Sequence, residues 1–293
     1  MTSKPLPSPI SAFGGKFRAV QEAHIQDFIM PCVGTTEYVE MFCFSATLFF
    51  NLNTRPRRAI LNDADDRLMR FWRVIRDHCT EFEQELEYCW LAPSVFAEYK
   101  QRQDEIGQAV FFYLQNRNGW CGIRSESFHY NYRGHHIRKD LKPWAKMLNH
   151  GCVEMWNLDF REVFDRLDKA GGKEGHFCIY EDPPYFQQGE RYDHRFTEQD
   201  HRDLAELNHA TPHTVVLSYA DHPLVRALYA DWDVIELIYS HSQKSGNHGK
   251  DCEHAIGGEG KRELLLSNRP LRRWTSGTSD LTRWVKPTNQ VEV

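Results

Sequence analysis

An apolar run that ends in Asp182-Pro183-Pro184-Tyr185 is the feature that most constrains the fold of this chain. Residues 177–181 are mostly apolar and lead directly into this tetrapeptide, and a polar segment with helix signals follows. The pattern is typical of a buried strand that ends in a rigid loop. In open α/β sheets, ligands bind just outside the carboxyl ends of the strands. The stretch therefore predicts an α/β sheet with a candidate site at this loop.

The chemistry of the loop suits a planar amine. Consecutive prolines restrict φ and carry no N–H, so we expect the carbonyls of Asp182 and Pro183 to point outward as acceptors. A carboxylate and the ring of Tyr185 lie beside them in the sequence. Two acceptors would bind the NH2 hydrogens, and the ring would stack on the base. The alternative is a plain turn after a strand, because Asp, Pro and Tyr are all common in turns.

Length and composition indicate a packed globular protein. The chain has 293 residues, of which 41% are hydrophobic and 13% aromatic, enough for one large α/β domain or a core domain with an insertion. No apolar run approaches the roughly 18 residues of a membrane span, and the first residues do not resemble a secretion signal. We therefore expect a soluble, cytoplasmic protein that does not associate with membranes.

Cysteine and histidine usage argues against a metal site. The eight cysteines are scattered and form no CxxC pair, which predicts reduced thiols rather than disulfides or a zinc site. The fifteen histidines also lack the spacing of metal ligands. We expect no bound metal.

One basic segment qualifies the net charge of −5, which on its own argues mildly against nucleic-acid binding. Residues 124–150 include six Arg and Lys residues but only two acidic residues, Glu126 and Asp140. Four aromatic residues lie among them. Basic side chains bind phosphates and aromatic rings stack on bases, so this mixture suits a nucleic acid. A solvated basic surface is the alternative.

Apolar periodicity divides the chain into a sheet domain and an insertion. Seven strands are predicted, at residues 36–42, 58–63, 152–159, 176–181, 214–220, 233–240 and 261–268. Helical patterns cover 66–78, 80–90 and 93–107, and Thr197 with Asp200 resembles a capping box. The prediction is an α/β domain formed by residues 10–65 and 150–275, interrupted by a mostly helical insertion at 66–149.

Two further sites have both a functional and a plain interpretation. The glycines of Phe13-Gly14-Gly15-Lys16 let the backbone approach a ligand and Lys16 adds a cation, although Gly-Gly-Lys alone is common in turns. Asp63 ends the second predicted strand, where α/β folds bind ribose hydroxyls. The alternative is that Asp63 or its neighbour caps the helix that follows.

Taken in order, these motifs resemble the D12 class of DNA adenine-N6 methyltransferases, the Dam-like enzymes. The resemblance extends from about residue 13 to residue 270 and includes the stretches FGGK, YVEMFCFSATLFFNL, LQNRNGWCGIR, NLDF, EDPPYF, VVLSYADHP and ELLLSNRP. It implies a Rossmann-like sheet dependent on S-adenosylmethionine, with an inserted, mostly helical target-recognition domain. No GxGxxG follows the first strand, which disfavours a dinucleotide-dependent oxidoreductase.

The resemblance also implies roles for individual residues. Residues 13–16 would close over the cofactor, residues 40–46 would lie under its methionine and ribose, Asp63 would bind the ribose, and Asp159 with Phe160 would contact its adenine. The implied cofactor-binding residues are Phe13, Gly14, Gly15, Lys16, Glu40, Phe42, Phe44, Ser45, Asp63, Asp159, Phe160 and Asp182.

The substrate assignments follow from the same resemblance. The implied catalytic residues, which would hold a flipped adenine, are Asp182, Pro183, Pro184 and Tyr185. The candidate DNA contacts are Arg117, Asn118, Arg124, Asn131, Arg133, Arg138 and Lys139. DNA is the expected partner, and a cognate restriction endonuclease is a further candidate.

Phe44 departs from the family pattern, which usually has a small residue there, mostly glycine. If this position requires φ > 0, phenylalanine costs on the order of 1–2 kcal/mol. Either the ring points away from the cofactor and the enzyme is active, or cofactor binding is weakened and a non-catalytic DNA-binding relative remains. An RNA adenine methyltransferase is a further alternative, because the basic aromatic segment suits RNA equally well.

Overall fold

All seven predicted strands are present, and they form one mixed sheet together with a short eighth strand. The computed structural model describes residues 5–11, 15–33, 37–87, 89, 92–118, 128, 140–171, 177–186, 196–239, 261–273 and 285–287. The strands are β1 (Glu37–Glu40), β2 (Arg58–Asn62), β3 (Cys152–Trp156), β4 (Phe177–Glu181), β5 (Thr214–Ala220), β6 (Asp233–Tyr239), β7 (Lys261–Ser267) and β8 (Val285–Pro287).

The strand order is β3-β2-β1-β4-β5-β7-β6-β8. Strands β3, β2, β1, β4 and β5 pair in parallel, whereas β7 is antiparallel to both β5 and β6, and β8 is antiparallel to β6 at the edge. Successive strands β1, β2 and β3 spread in one direction, and β4 starts the opposite direction. The order therefore reverses between β1 and β4, as in a Rossmann-like sheet, and this is where such folds bind ligands.

Alternate residues of the central strands face two separate cores. Tyr38 and Tyr180 pack in the first core, and their strand neighbours Val39 and Ile179 pack in the second. Strands buried on both faces read as continuous apolar runs, which explains why β1 and β4 were predictable from hydrophobicity.

Helices cover both faces of the sheet. The second core is packed against α8 (Phe160–Gly171), α9 (Glu198–Ala210) and α10 (Pro223–Leu228). The first core is packed against a π-helical turn (Ala19–Ala23), α1 (Gln26–Val33), α2 (Thr47–Asn51), α3 (Asp66–Asp77), α4 (Cys79–Glu87), α5 (Pro93–Gln101), α6 (Glu105–Asn118) and α7 (Lys142–Leu148).

The prediction of one helix over residues 93–107 was wrong, because the chain forms two helices there. Helix α5 ends before Arg102, whose φ of −64° and ψ of 135° are extended. Helix α6 starts at Glu105, where Asp104 Oδ1 accepts the backbone N–H of Gly107 at 2.8 Å. This side-chain bond satisfies a donor that the first helical turn leaves unpaired, so Asp104 marks a helix start within the polar stretch 100–105.

The helices between β2 and β3 share the first core with the sheet. Phe71 of α3 stacks on Tyr113 of α6, with ring centroids 5.9 Å apart and ring planes at 3°, and Phe82 of α4 meets the edge of Tyr113. Trp144 of α7 is fully buried in the same core. The position of these helices relative to the sheet is therefore set by apolar packing, while the domain boundaries at residues 66 and 149 stay a prediction.

The predicted capping box at the start of α9 is confirmed. Thr197 Oγ1 accepts the backbone N–H of Asp200 at 3.2 Å, and Asp200 Oδ2 accepts the backbone N–H of Thr197 at 2.7 Å. Asp200 Oδ1 also accepts from Arg161 of α8 at 2.6 Å. The cap therefore orders the start of α9 and joins it to α8.

Removing the cap should destabilise the fold measurably. For Thr197→Ala we expect the free energy of unfolding in urea to fall by about 1 kcal/mol, because the Asp200 N–H in the first turn loses the hydroxyl that accepts from it. Thr197→Ser keeps the hydroxyl and should stay within about 0.5 kcal/mol of the native chain. Equal stability of the alanine and serine variants would contradict this role.

Candidate active site

The loops that follow β1 and β4 leave the sheet side by side. Met41 N–H donates to the Tyr180 carbonyl at 2.9 Å, one residue beyond the end of β1. The adjacent loops carry the segments 41–46 and 182–186, and the loops after β2 and β3 carry 63–65 and 157–159. Four strand ends therefore meet at one edge of the sheet, beside the point where the strand order reverses.

A buried lysine joins two motifs that are far apart in the sequence. Lys16 Nζ donates to Asp182 Oδ1 at 2.6 Å and to the Tyr185 hydroxyl at 2.7 Å. Its side chain is only 5% exposed, whereas that of Asp182 is 23% exposed. Gly15 precedes it directly, and the predicted residues Phe13 and Gly14 lie outside the described residues. The structure thus brings the end of FGGK together with DPPY.

The prolines and the tyrosine of the DPPY loop differ in their surroundings. Pro183 is buried and Pro184 is partly exposed. The Tyr185 ring stacks on Tyr219 of β5, with centroids 5.2 Å apart and planes at 24°. Its hydroxyl accepts from Lys16 and donates to Glu263 Oε1 at 2.8 Å. The orientation of the Tyr185 ring is therefore determined at its hydroxyl end and on one face.

Sequence reasoning missed Glu263. This residue of β7 is fully buried, and its Oε1 lies 3.6 Å from Lys16 Nζ as well as accepting from Tyr185. The signal was available, because Glu263 is a carboxylate within a strand whose other central residues are leucines. A charge in a buried strand requires a partner.

The loop after β1 adopts the left-handed backbone that was considered for Phe44. Phe44 has φ of 28° and Ala46 has φ of 47°, and neither is a glycine. The Phe44 N–H donates to Asp63 Oδ2 at 3.1 Å, and its carbonyl accepts from Trp72 Nε1 at 2.8 Å. The Phe44 ring packs against the first core. Strain on the order of 1–2 kcal/mol per residue is thus offset by bonds to both sides of the peptide and by ring packing.

Glu40 and Ser45 are bonded within the same loop. Glu40 Oε2 accepts from the Tyr38 hydroxyl and from the Phe49 N–H, both at 2.9 Å. Ser45 and Thr47 share a hydrogen bond of 2.8 Å between their hydroxyls. Both predicted cofactor residues therefore support the start of α2, where the chain turns back over the sheet.

The capping interpretation of the acidic strand end applies to Asp65 and not to Asp63. Asp65 caps α3 by accepting the Arg67 N–H at 3.0 Å. Asp63 instead accepts from Phe44 and, at 3.0 Å, from the Asp65 N–H. Asp63 therefore ties the loop after β2 to the loop after β1.

Asn62 is a second residue that sequence reasoning missed. Its Nδ2 donates to the carbonyls of Met41 at 3.0 Å and Leu158 at 3.1 Å, and its Oδ1 accepts the Leu158 N–H at 3.1 Å. One buried amide thus joins the loops after β1, β2 and β3. An asparagine at the end of an apolar strand was the available signal.

Aromatic side chains line the end of β3 and the start of α8. Phe42 and Phe160 lie 6.2 Å apart by ring centroids, and Phe196, which was not predicted, lies 5.8 Å and 5.6 Å from them. Asp159 caps α8 by accepting the Arg161 N–H at 2.9 Å, and it also pairs with the Arg161 guanidinium. The predicted pair Asp159 and Phe160 is therefore adjacent to a cluster of three phenylalanines.

Two of the seven predicted DNA contacts are described, at the end of α6. Arg117 Nη1 donates to Ser11 Oγ at 3.4 Å, and Asn118 is 3% exposed. Neighbouring Asn116 exchanges two hydrogen bonds of 2.8 Å with the backbone of Ser11. The remaining predicted contacts lie outside the described residues, namely Arg124, Asn131, Arg133, Arg138 and Lys139.

A comparison with protein families identifies the family to which the chain belongs. The family model described as D12 class N6 adenine-specific DNA methyltransferase matches residues 13–245 of the 293. The chain belongs to the D12 class of N6 adenine-specific DNA methyltransferases. The matched range includes Lys16 and the DPPY loop, and S-adenosylmethionine is the methyl donor of D12 methyltransferases.

Solved structures show a weaker likeness. Two structures of the rRNA methyltransferase aviRa from Streptomyces viridochromogenes are 12% and 13% identical to this D12 methyltransferase. The matches cover 87% and 90% of this chain and 85% and 87% of the other chains, with a TM-score of 0.38 in both cases. A TM-score of this size says nothing about the substrate. No curated protein sequence matches the chain significantly.

The described part of the D12 methyltransferase contains no cluster of three or more His, Cys, Asp or Glu side chains that would hold a metal ion. Within the same residues, every helix is too short or too polar to cross a membrane. The described cysteines are free thiols, namely Cys43, Cys79, Cys89, Cys152 and Cys178.

Two buried glutamates of the D12 methyltransferase make its stability depend on pH. Burial raises the pKa of Glu40 and of Glu181 from 4.5 to about 8, although hydrogen bonds to each carboxyl group act in the opposite direction. The folded chain therefore binds more protons than the unfolded chain between these two values. The stabilising contribution is complete below pH 4.5, and it is lost as the pH rises through the folded pKa of about 8.

We expect the free energy of unfolding to fall as pH rises from about 5 to 8, by up to about 1.4 kcal/mol per pH unit for each glutamate. Urea unfolding at several pH values measures this slope. Glu181→Gln removes one titrating group and should have the shallower slope. If its slope equals that of the native chain, Glu181 is ionised in the folded protein and the assignment is wrong.

Proposed function

We propose that the chain transfers a methyl group from S-adenosylmethionine to N6 of adenine in duplex DNA, with the base flipped out of the helix and held by Asp182-Pro183-Pro184-Tyr185. The observation that carries the proposal is the contact of Lys16 with both Asp182 and Tyr185 at the reversal of the strand order. A plain turn would need no buried cation. A site that reacts with a base needs its groups held in place, and Lys16 holds both Asp182 and Tyr185.

Adenine N6 requires help from the protein because its lone pair is delocalised into the ring. In the proposed complex, a carboxylate oxygen of Asp182 and the Pro183 carbonyl accept the two N–H groups and favour a pyramidal nitrogen. A carboxylate accepts about four hydrogen bonds, so binding Lys16 leaves Asp182 capacity for the amine. The contribution of the protein is then positioning and electrostatic stabilisation.

The base would stack on Tyr185 from the side opposite Tyr219. Tyr219 holds one face of the buried ring and the hydroxyl is bonded, so the orientation of the ring is fixed beside Asp182. Phe186 follows directly and lies 4.6 Å from the His222 ring by centroids, so it belongs to an adjacent aromatic wall. Aromatic surfaces of this kind hold flipped bases.

The residues at the strand ends suit the cofactor. S-adenosylmethionine, when bound, supplies a methyl group activated by a sulfonium cation. The carboxylates of Asp182 and Glu263 both lie within ion-pair distance of the Lys16 ammonium, and acidic groups beside the site complement a cation. We assign the aromatic cluster beside Asp159 to the adenine end of the cofactor, and the Glu40–Ser45 loop with Asp63 to its ribose and methionine.

Loss of the Asp182 carboxylate should abolish the reaction. We expect the native chain to form N6-methyladenine in duplex DNA and Asp182→Ala to lower the rate at least about 100-fold, because one stabilising group at a reacting atom contributes this much. Nucleoside mass spectrometry after incubation with labelled S-adenosylmethionine measures it.

The matched control is Asp77→Ala, which removes an exposed aspartate paired with Arg76 at the end of α3. It should retain the native rate. N4-methylcytosine as the product, or methyl transfer to RNA but not to duplex DNA, would replace the proposed substrate. Native activity in Asp182→Ala would show that DPPY is not the reacting site.

Phe44 decides between an active enzyme and a non-catalytic DNA-binding relative. Because its ring packs against the core and its strained backbone is bonded on both sides, we expect micromolar binding of S-adenosylmethionine to the native chain. Phe44→Gly should change the dissociation constant by less than about threefold. Calorimetric titration of both proteins measures this.

The opposite result would be equally informative. If the native chain does not bind S-adenosylmethionine and Phe44→Gly does, the phenylalanine blocks the cofactor site. The chain would then be a DNA-binding relative without methyl transfer.

A further inference from the structure

Glu263 is a buried carboxylate that the D12 assignment gives no role. It lies on the antiparallel strand β7, opposite Ala220 of β5 and Leu237 of β6, and its side chain is fully buried. Its Oε1 accepts the Tyr185 hydroxyl at 2.8 Å and lies 3.6 Å from Lys16 Nζ. Glu263 thus lies close to both the DPPY loop and the buried lysine.

Stability alone does not account for this carboxylate. Asp182 already pairs with Lys16 at 2.6 Å, so that one cation faces two carboxylates. Removing a second carboxylate from water has a large desolvation cost, and buried ion pairs are often replaceable by apolar residues without loss of stability. A buried carboxylate in contact with Tyr185 and Lys16 therefore points to a role in the site beside it.

A chain of hydrogen bonds connects Glu263 with Asp182. Glu263 accepts from the Tyr185 hydroxyl, this hydroxyl accepts from Lys16, and Lys16 also donates to Asp182. Because the Tyr185 hydroxyl has one proton, its bond to Glu263 directs its lone pairs toward Lys16. The Tyr185 hydroxyl then donates one hydrogen bond and accepts another. These two bonds restrict the orientation of the ring plane.

We propose that Glu263 is a positioning residue of the active site, which orients the Tyr185 hydroxyl and ring and, through this hydroxyl, the Lys16 ammonium and the Asp182 carboxylate. The inference rests on the proposed function, because it assigns Tyr185 and Asp182 to the adenine. Glu263 itself contacts Tyr185 and Lys16 rather than the substrate. Its effect is therefore transmitted by the Tyr185 hydroxyl.

A double-mutant cycle tests this transmission. Glu263→Gln keeps a side-chain oxygen that accepts from Tyr185 but removes the charge, and Tyr185→Phe removes the hydroxyl. We expect Glu263→Gln to lower the single-turnover rate at saturating DNA and S-adenosylmethionine about tenfold, since a bond to a charged group is about twice as strong as a neutral one. In the Tyr185→Phe background the same substitution should change the rate less than about twofold.

Glu181→Gln is the matched control. Glu181 is also a fully buried glutamate and directly precedes Asp182, but burial raises its pKa to about 8. It is therefore largely protonated at pH 7, and glutamine removes no charge. We expect its rate at pH 7 to equal that of the native chain.

If Glu263→Gln does not fold, Glu263→Asp takes its place. Aspartate keeps the charge but is one methylene shorter, so it loses the bond to Tyr185. The same dependence on the Tyr185 hydroxyl is expected.

Three results would overturn the inference. A native rate in Glu263→Gln would show that its charge has no role, and equal losses in Glu263→Gln and Glu181→Gln would indicate a general effect of altering the core. Rate losses that multiply with those of Tyr185→Phe would show that Glu263 acts apart from the hydroxyl.

Failure of the proposed function is a separate result, seen when the native chain methylates no DNA. The cycle is then read from the free energies of unfolding in urea. A coupling between the two substitutions supports the contact on which the inference depends, and additive effects overturn it.

Discussion

The buried ammonium of Lys16 is the interaction on which the architecture of the site depends. It connects the segment before α1 with the loop after β4, and the Tyr185 hydroxyl extends this connection to Glu263 on β7. A charge taken out of water without partners is costly by several kcal/mol, so these three segments must assemble together. The DPPY loop is therefore held by contacts among elements that are distant in sequence. The local sequence of the loop contributes only the rigidity of its prolines.

The loops after β1, β2 and β3 are also held together by buried polar side chains. Backbone groups beyond the last ladder residue need partners, and Asn62, Asp63 and Glu40 supply them. These bonds join the loops after β1, β2 and β3 into one rim. The left-handed backbone at Phe44 persists in that rim because Asp63 and Trp72 bind its N–H and its carbonyl. Strain at a functional loop is retained where the surroundings over-determine it.

The helices between β2 and β3 are connected to this rim in two ways. Their aromatic side chains share the first core with the sheet, so packing sets their orientation. In addition, Asn116 near the end of α6 binds the backbone of Ser11, a few residues before Lys16. The segment proposed to read DNA is thereby bonded to the segment that supports the reacting loop. These two hydrogen bonds link the position of the end of α6 to that of Ser11.

The sequence by itself determined those features whose cause is local. Apolar runs specified the seven main strands, and the Thr197–Asp200 pair specified the start of α9. The DPPY loop with its preceding strand gave the prediction of where the site lies. The break between α5 and α6 escaped prediction because the polar residues 100–105 suit an exposed turn of helix as well as a break at the Asp104 cap. Only the tertiary structure decided the partners of Lys16, the role of Asn62 and the place of Glu263. Their hydrogen bonds join residues that lie 21 to 169 positions apart, and a partner at such a distance is selected by the packing of the strands.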